Sequence, residues 1–132
     1  MQIGIVLAIL SIDQLSKLLL FDVAILNRGI GFGISQSSGW LSLIFVVFGV
    51  LATFLLYLAT PVSKFPVSRW VWPLILGASV SNLIDRARFG GVIDPFKLPV
   101  TGIHFNIADV AIVVGFIVLL VTTSGVRKRK QL

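Results

Sequence analysis

The sequence predicts an all-α membrane protein: four transmembrane helices with a small extracytoplasmic β/loop subdomain, forming one domain over residues 1–132. Three observations carry that prediction. The chain is 57% hydrophobic and only 12% charged, about half the charge of a soluble domain. Its mean hydropathy is +1.05. Its only acids are the aspartates Asp13, Asp22, Asp85, Asp94 and Asp109, each at the edge of an apolar segment. A carboxylate in or near a bilayer is costly and marks a functional site by default.

A spanning helix needs about 20 mostly apolar residues. The first candidate covers residues 2–21 and is interrupted by Asp13 and Lys17. It has no basic start and no small-residue cleavage site before Asp13, so it reads as a retained span and not a signal peptide. The segment from Asp22 to Gly39 is polar and Gly-rich, with weak alternation that predicts short strands or turns. The second span, 40–60, is uncharged throughout. A short basic loop, 61–69, leads to the third span, 70–85. The connection from Arg86 to His104 contains Gly90, Gly91, Pro95 and Pro99. The fourth span, 105–126, ends in the tail Arg127-Lys128-Arg129-Lys130. Trp40, Trp70 and Trp72 sit at span ends and read as interfacial anchors.

Four spans put both termini and the 61–69 loop on one side, with six basic residues and no acid. The other side holds five basic residues and every aspartate. The count is nearly balanced, and the dense tail beside the last span tips both termini toward the cytoplasm. Asp85 follows Arg69 by about 24 Å of helix, and Asp109 precedes Arg127 by about 27 Å. In a hydrocarbon core about 30 Å thick, both reach the outer interface. The polar groups of spans one, three and four are therefore expected to converge there.

The chain contains no Cys and one His, His104. Thiolate catalysis, disulfides and an HExxH zinc site are excluded. His104 reads as an interfacial hydrogen-bonding residue. Asp13 and Lys17 are spaced i, i+4 and can pair on one helix face. Read alone, they are a self-neutralising pair at a span end, with Lys17 snorkelling. Asn82, Asp85 and Arg86 are spaced i, i+3, i+4; alone they are a polar helix end. Asn106 and Asp109 repeat the i, i+3 spacing, and Asp109 alone is an acid favoured by the helix dipole. Asp94 before Pro95 is alone an ordinary turn residue, and Asn27 to Gly33 a plain glycine-rich turn. Taken together, these readings require independent polar accidents on one face of one small bundle.

In order, Asp13-Gln-x-x-Lys17, Asn27-x-Gly29-x-x-Phe32, Asn82-x-x-Asp85-Arg86, Val92-x-Asp94 and Phe105-Asn106-x-Ala108-Asp109 resemble the motifs of the lipoprotein signal peptidase (signal peptidase II) family. The resemblance runs from Asp13 to the last span. It implies a four-helix membrane aspartyl endopeptidase with a small extracytoplasmic sheet. Such an enzyme removes the signal peptide from diacylglyceryl-modified bacterial prolipoproteins. It implies Asp94 and Asp109 as the catalytic dyad, with Asp13, Lys17, Asn27, Gly29, Asn82, Asp85, Arg86 and Asn106 as substrate-binding or supporting residues. Asp13 is expected to pair with Lys17 and Asp85 with Arg86.

The implied partners are the lipid-modified prolipoprotein and membrane lipids, with no nucleic acid, metal or cofactor. The expected protein is a monomer in the bacterial cytoplasmic (inner) membrane, with its active site near the extracytoplasmic face. The chain departs from the family pattern at Ser81, where Gly is usual, and at Pro95, which removes a backbone donor beside Asp94.

Two alternatives stay open at this point. Intramembrane Asp and Lys also mark small proton or ion transporters, although no charged path crosses the predicted spans. A catalytically degenerate membrane scaffold is the other. A Ser–Lys peptidase is disfavoured because Ser16 is the immediate helical neighbour of Lys17 and faces away from it.

Overall fold

The computed structural model describes residues 2–29, 44, 47–49, 51–55, 58 and 67–129. Helix α1 spans Gln2–Leu19 and leads through a 3-10 turn, Phe21–Val23, into strand β1, Ile25–Asn27. Helix α2 spans Ser68–Phe89 and is followed by the strands β2 (Val92–Asp94), β3 (Phe96–Lys97) and β4 (His104–Phe105). Helix α3, Ile107–Arg129, completes the described chain. Three of the four expected spans are thus helices, each shifted by a few residues from its expected limits. The second span and the Gly-rich loop lie largely outside the described residues; those described at 47–49 and 51–55 are helical. Among the described residues, α1 is long and apolar enough to cross a membrane, and 107–122 is a shorter apolar stretch.

Helix α2 is the central element, packed extensively against both α1 and α3. Small residues permit the close approach. A side chain at Gly77 would overlap the Ile9 side chain and the Val6 backbone of α1, and one at Gly115 would overlap Ile75. Without water to drive apolar faces together, helices in lipid rely on this kind of tight contact at small residues. Ile9, Ala78, Ala108 and Ala111 form one buried cluster. Val71, Trp72, Ile75 and Leu119 form a second. Trp72 is therefore a core residue and not the expected interfacial anchor, whereas Trp70 is exposed and stacks with Arg69.

Burial is inverted relative to a water-soluble domain. The largest fully buried side chains include Lys17, Asp13, Asp85, Asp94 and Asn106. Ile3, Leu7, Leu18, Leu19, Leu120 and Val121 are among the exposed ones. Apolar surface of this extent is stable against lipid tails and a liability in water.

At the end of α2, Gly90 takes the left-handed conformation (φ 69°), and its N–H bonds to the Arg86 carbonyl. This is a glycine C-cap, because a Cβ disfavours that conformation. The cap turns the chain back onto the helix end. Strand β2 then pairs antiparallel with β1, matching Ile25 to Asp94 and Asn27 to Val92. Strands β3 and β4 form a second antiparallel pair, with Phe96 opposite Phe105 and Lys97 opposite His104. Pro95 falls between the two ladders and sits in neither register. Its missing N–H therefore breaks no ladder bond.

Candidate functional site

The site is built outward from Lys17. Its ammonium lies 2.6 Å from Asp13 Oδ2 and 2.7 Å from Asp85 Oδ2, and donates to Asn82 Oδ1 at 2.9 Å. An ammonium has three donors, and these three partners use all of them. Lys17 is only 2% exposed, so its charge is held by geometry and not by snorkelling to water. Asp85 accepts further hydrogen bonds from the Gln14 amide and the Ile93 backbone N–H, which ties the helix end to β2.

Asp13 joins three helices. Its Oδ2 accepts from the Ser81 hydroxyl on α2 at 2.7 Å. Its Oδ1 accepts from the Ala108 backbone N–H on α3 at 2.8 Å. The first N–H groups of a helix have no partner within it, so Asp13 of α1 caps α3 from another element. Asn106 caps the same helix locally. Its Oδ1 accepts from the Asp109 N–H at 2.8 Å, and its own N–H donates to Asp109 Oδ2 at 3.3 Å. This reciprocal arrangement is a capping box.

Asp94 and Asp109 border one cleft of about 160 Å³, together with Asn27, Asn82 and Arg86. Asp94 is buried on β2, and its two oxygens accept from Asn27 (2.9 Å) and Asn106 (2.7 Å). Asn27 and Asp94 are diagonal neighbours across the β1–β2 ladder, close enough for side chains to meet. Asp109 is half-buried on the first turn of α3, and its Oδ1 accepts from Asn82 at 2.9 Å. The side chain of Asn106 therefore donates to the Asp94 carboxylate through its amide and accepts from the Asp109 backbone N–H through its carbonyl, while its backbone N–H reaches the Asp109 carboxylate. Asn82 connects Asp109 to Lys17 in the same way. Burial pushes the Asp94 carboxyl above its ordinary value, against the opposing pull of the Asn27 and Asn106 hydrogen bonds and the Lys17 charge.

Arg86 Nη2 donates to the Gly29 carbonyl at 2.9 Å. Among the described residues its Nε and Nη1, both buried, have no hydrogen-bond partner, while the residue borders the cleft. Unmatched buried donors are rare and call for a reason. The Gly29 N–H in turn donates to Asn27 Oδ1 at 2.9 Å, fixing the end of β1.

All ten site residues expected from the sequence meet at one end of the bundle, with one pairing corrected. Asp85 pairs with Lys17 and not with its neighbour Arg86, because consecutive helical residues point in different directions. Asp22 lies exposed in the 3-10 turn, outside the network. His104 is half-buried on β4. Gln14 and Ser81 were missed as network members; both are polar residues inside apolar runs, which was the available signal. The expected glycine-rich segment after Gly29 is outside the described residues.

These features define a helical membrane protein with a cleft bordered by two carboxylates and two small two-stranded sheets beside it. Two solved structures share its fold. One, described as "Bacterial membrane enzyme structure by the in meso method at 2.3 A resolution", superposes with a TM-score of 0.84 at 18% identity, covering 98% of this chain and 90% of that one. A second, described in the same words at 1.9 A, gives 0.74 at 19% identity over 91% and 90%. The family model "Signal peptidase (SPase) II" matches residues 5–124, and the chain belongs to the signal peptidase II family. Relatives named lipoprotein signal peptidase include one from Burkholderia vietnamiensis, 34% identical over 89% of this chain and 84% of its own length. One from Clostridioides difficile is 35% identical over 89% and 90%.

Proposed function

We propose that this protein is a lipoprotein signal peptidase that cleaves the signal peptide from diacylglyceryl-modified prolipoproteins by aspartyl chemistry. The observation that carries the reading is the cleft bordered by both Asp94 and Asp109 and bridged by Asn106. Two nearby buried carboxylates cannot both ionise cheaply and share one proton. The ionised member takes a proton from water as the water oxygen attacks the scissile carbonyl carbon. The protonated member donates to the carbonyl oxygen. Collapse of the resulting diol returns a proton to the leaving amide nitrogen and breaks the C–N bond. The titration belongs to the pair and not to either residue.

Asn27, Asn82 and Asn106 orient the two carboxylates, and the free donors of Arg86 hold a substrate backbone carbonyl. Gly29 seats Arg86 through its carbonyl. Asp13, Lys17 and Asp85 lock the three helices that carry the site. The chain works as a monomer in the bacterial cytoplasmic membrane, with four spans, cytoplasmic termini and the cleft near the outer face. The transporter reading has no supporting observation.

The test is cleavage of a diacylglyceryl-modified precursor by purified protein. Asp94→Asn and Asp109→Asn should each lose at least about a thousand-fold in rate, in line with removal of an essential group from a catalytic unit, while melting as folded proteins. Normal processing by either variant would overturn the dyad.

A further inference from the structure

A hollow of about 150 Å³ lies at the other end of the bundle, away from the dyad. Ile3 and Val6 of α1, Thr53 and Phe54 of the helical segment 51–55, and Trp72 and Leu76 of α2 line it. Trp72 stands near the start of α2, about 20 Å of helix before Asp85. Ile3 and Phe54 are exposed, so the hollow opens onto the apolar outer surface of the bundle. Trp72 sets it apart from a simple packing gap. The residue is 6% exposed, and its indole Nε1 has no hydrogen-bond partner among the described residues. An indole N–H can only donate, and a buried donor left unmatched is costly.

The charge at this end has one sign. Arg69 is exposed and precedes Trp72 by three residues, which puts both on one helix face. Trp72 packs with Leu119 of α3, and α3 runs on past that contact to finish in Arg127, Lys128 and Arg129. The aspartates lie toward the opposite end, four of them in the polar network and Asp22 in the turn after α1. We infer that the hollow is a binding site for an anionic phospholipid of the surrounding membrane. An acyl chain fills the hollow, an ester carbonyl accepts from Trp72 Nε1, and the phosphate pairs with Arg69. Three features select that occupant. The lining is mostly apolar, the unmatched donor needs an acceptor carried on an apolar molecule, and a basic end favours a net negative headgroup over a zwitterionic one. A signal peptide is the other apolar candidate in this membrane, and its basic start is repelled here. The inference rests on the membrane reading of the chain and not on the peptidase chemistry.

The physical role is to join three elements. The polar network holds α1, α2 and α3 at the dyad end and does not reach this one. A lipid seated here touches α1, the 51–55 segment and α2 together. An acyl chain is already in hydrocarbon, so entering the hollow yields little hydrophobic gain. Affinity therefore comes from the indole and guanidinium contacts, and each can be removed separately.

The experiment titrates the purified protein in detergent micelles with phosphatidylglycerol or with phosphatidylcholine of the same acyl chains. Binding is read from the rise in melting temperature with lipid concentration, which gives an apparent affinity. The wild type is expected to favour phosphatidylglycerol by about five-fold or more, the share of one cation near a headgroup. Arg69→Gln should lose most of that preference. Trp72→Phe should weaken both lipids by about three-fold or more and leave their ratio unchanged, as expected for loss of one hydrogen bond. Leu76→Trp fills the hollow from a half-buried position and should abolish the response to either lipid, with Ile3→Trp as the second variant should the first not melt cooperatively. Equal responses of the wild type to the two lipids overturn the site, as does a wild-type response in both filled variants. A wild type that binds phosphatidylglycerol but leaves a diacylglyceryl-modified precursor uncut overturns the peptidase reading and supports this one.

Discussion

Lys17→Met is the most demanding test of the network, because one ammonium holds Asp13, Asp85 and Asn82 at 2.6, 2.7 and 2.9 Å while 2% exposed. Methionine keeps most of the apolar stem of the side chain but removes the charge. The variant leaves two buried carboxylates facing each other without a cation. Removing one partner of a buried ion pair costs about 3–5 kcal/mol, chiefly through the charge left behind. That is a large share of the roughly 5–15 kcal/mol that holds a typical domain together. At about 4 °C per kcal/mol for a chain of this length, the melting temperature should fall by roughly 10–20 °C. Thermal unfolding in detergent micelles, followed by tryptophan fluorescence, measures it. Combining Lys17→Met with Asp13→Asn and Asp85→Asn removes the stranded charges and should recover about half of the loss, a non-additivity expected of groups in direct contact. A Lys17→Met variant melting within about 3 °C of wild type would refute the reasoning.

Three further outcomes follow from the same geometry. Ser81→Ala removes the hydroxyl that donates to Asp13 and should cost about 1.5–3 kcal/mol by chemical unfolding, the range for a hydrogen bond to a charged group. Gly77→Val, which drives a side chain into Val6 and Ile9, should cost about 1–3 kcal/mol and separate α1 from α2, read as loss of a cross-link between cysteines introduced at exposed positions on the two helices. Asp94, whose carboxyl is raised by burial, contributes to the pH dependence of stability. Its stabilising contribution is complete below its unfolded value of about 3.9 and is lost as pH rises through its folded value. The wild-type melting temperature should therefore fall relative to Asp94→Asn as pH is raised from 4. A difference that stays constant from pH 4 to 8 contradicts the assignment. Activity should decline over the same rise, as the proton-donating carboxyl of the pair is lost.

The polar ends of three spans could be placed from the sequence because helical rise is regular. Counting residues from Arg69 and Arg127 puts Asp85 and Asp109 at similar depths, and both are in the network. Spacing also paired Asp13 with Lys17. It could not see that Lys17 reaches across to Asp85, since that contact depends on how closely α1 and α2 approach. The approach is set by Gly77, an unremarkable glycine in a linear reading. The cap that Asp13 places on the Ala108 N–H is hidden for the same reason. An acid and a backbone group 95 residues apart leave no periodic signature. Trp72 was misplaced because a tryptophan near a span end satisfies the interfacial rule and the core equally well, and only its packing against Ile75 and Leu119 decides between them.

The two departures from the family pattern have different physical standing. Ser81 is not a neutral replacement for glycine: its hydroxyl donates to Asp13 and accepts from Gln14 at 2.9 Å. It adds a fixed donor to the carboxylate that caps α3 next to Asp109. A buried hydroxyl is favourable only when its bonds are made, and here both sides are used. The change is therefore tied to Gln14 and Asp13 and should not be tolerated if Asp13 is replaced by an apolar residue. Pro95 acts by omission. It follows the buried Asp94 directly, yet it stands where β2 has finished pairing with β1 and β3 has not begun pairing with β4. At that position a missing N–H leaves no carbonyl unmatched in either ladder, and the fixed φ of proline stiffens the joint between them. The stiffened joint links the strand carrying Asp94 to the β3–β4 hairpin. Replacing Pro95 with Ala should thus leave Asp94 paired with Asn27 and Asn106 and loosen the hairpin, so amide hydrogen exchange should rise across residues 96–105 while that of Asp94 and Asn106 stays unchanged.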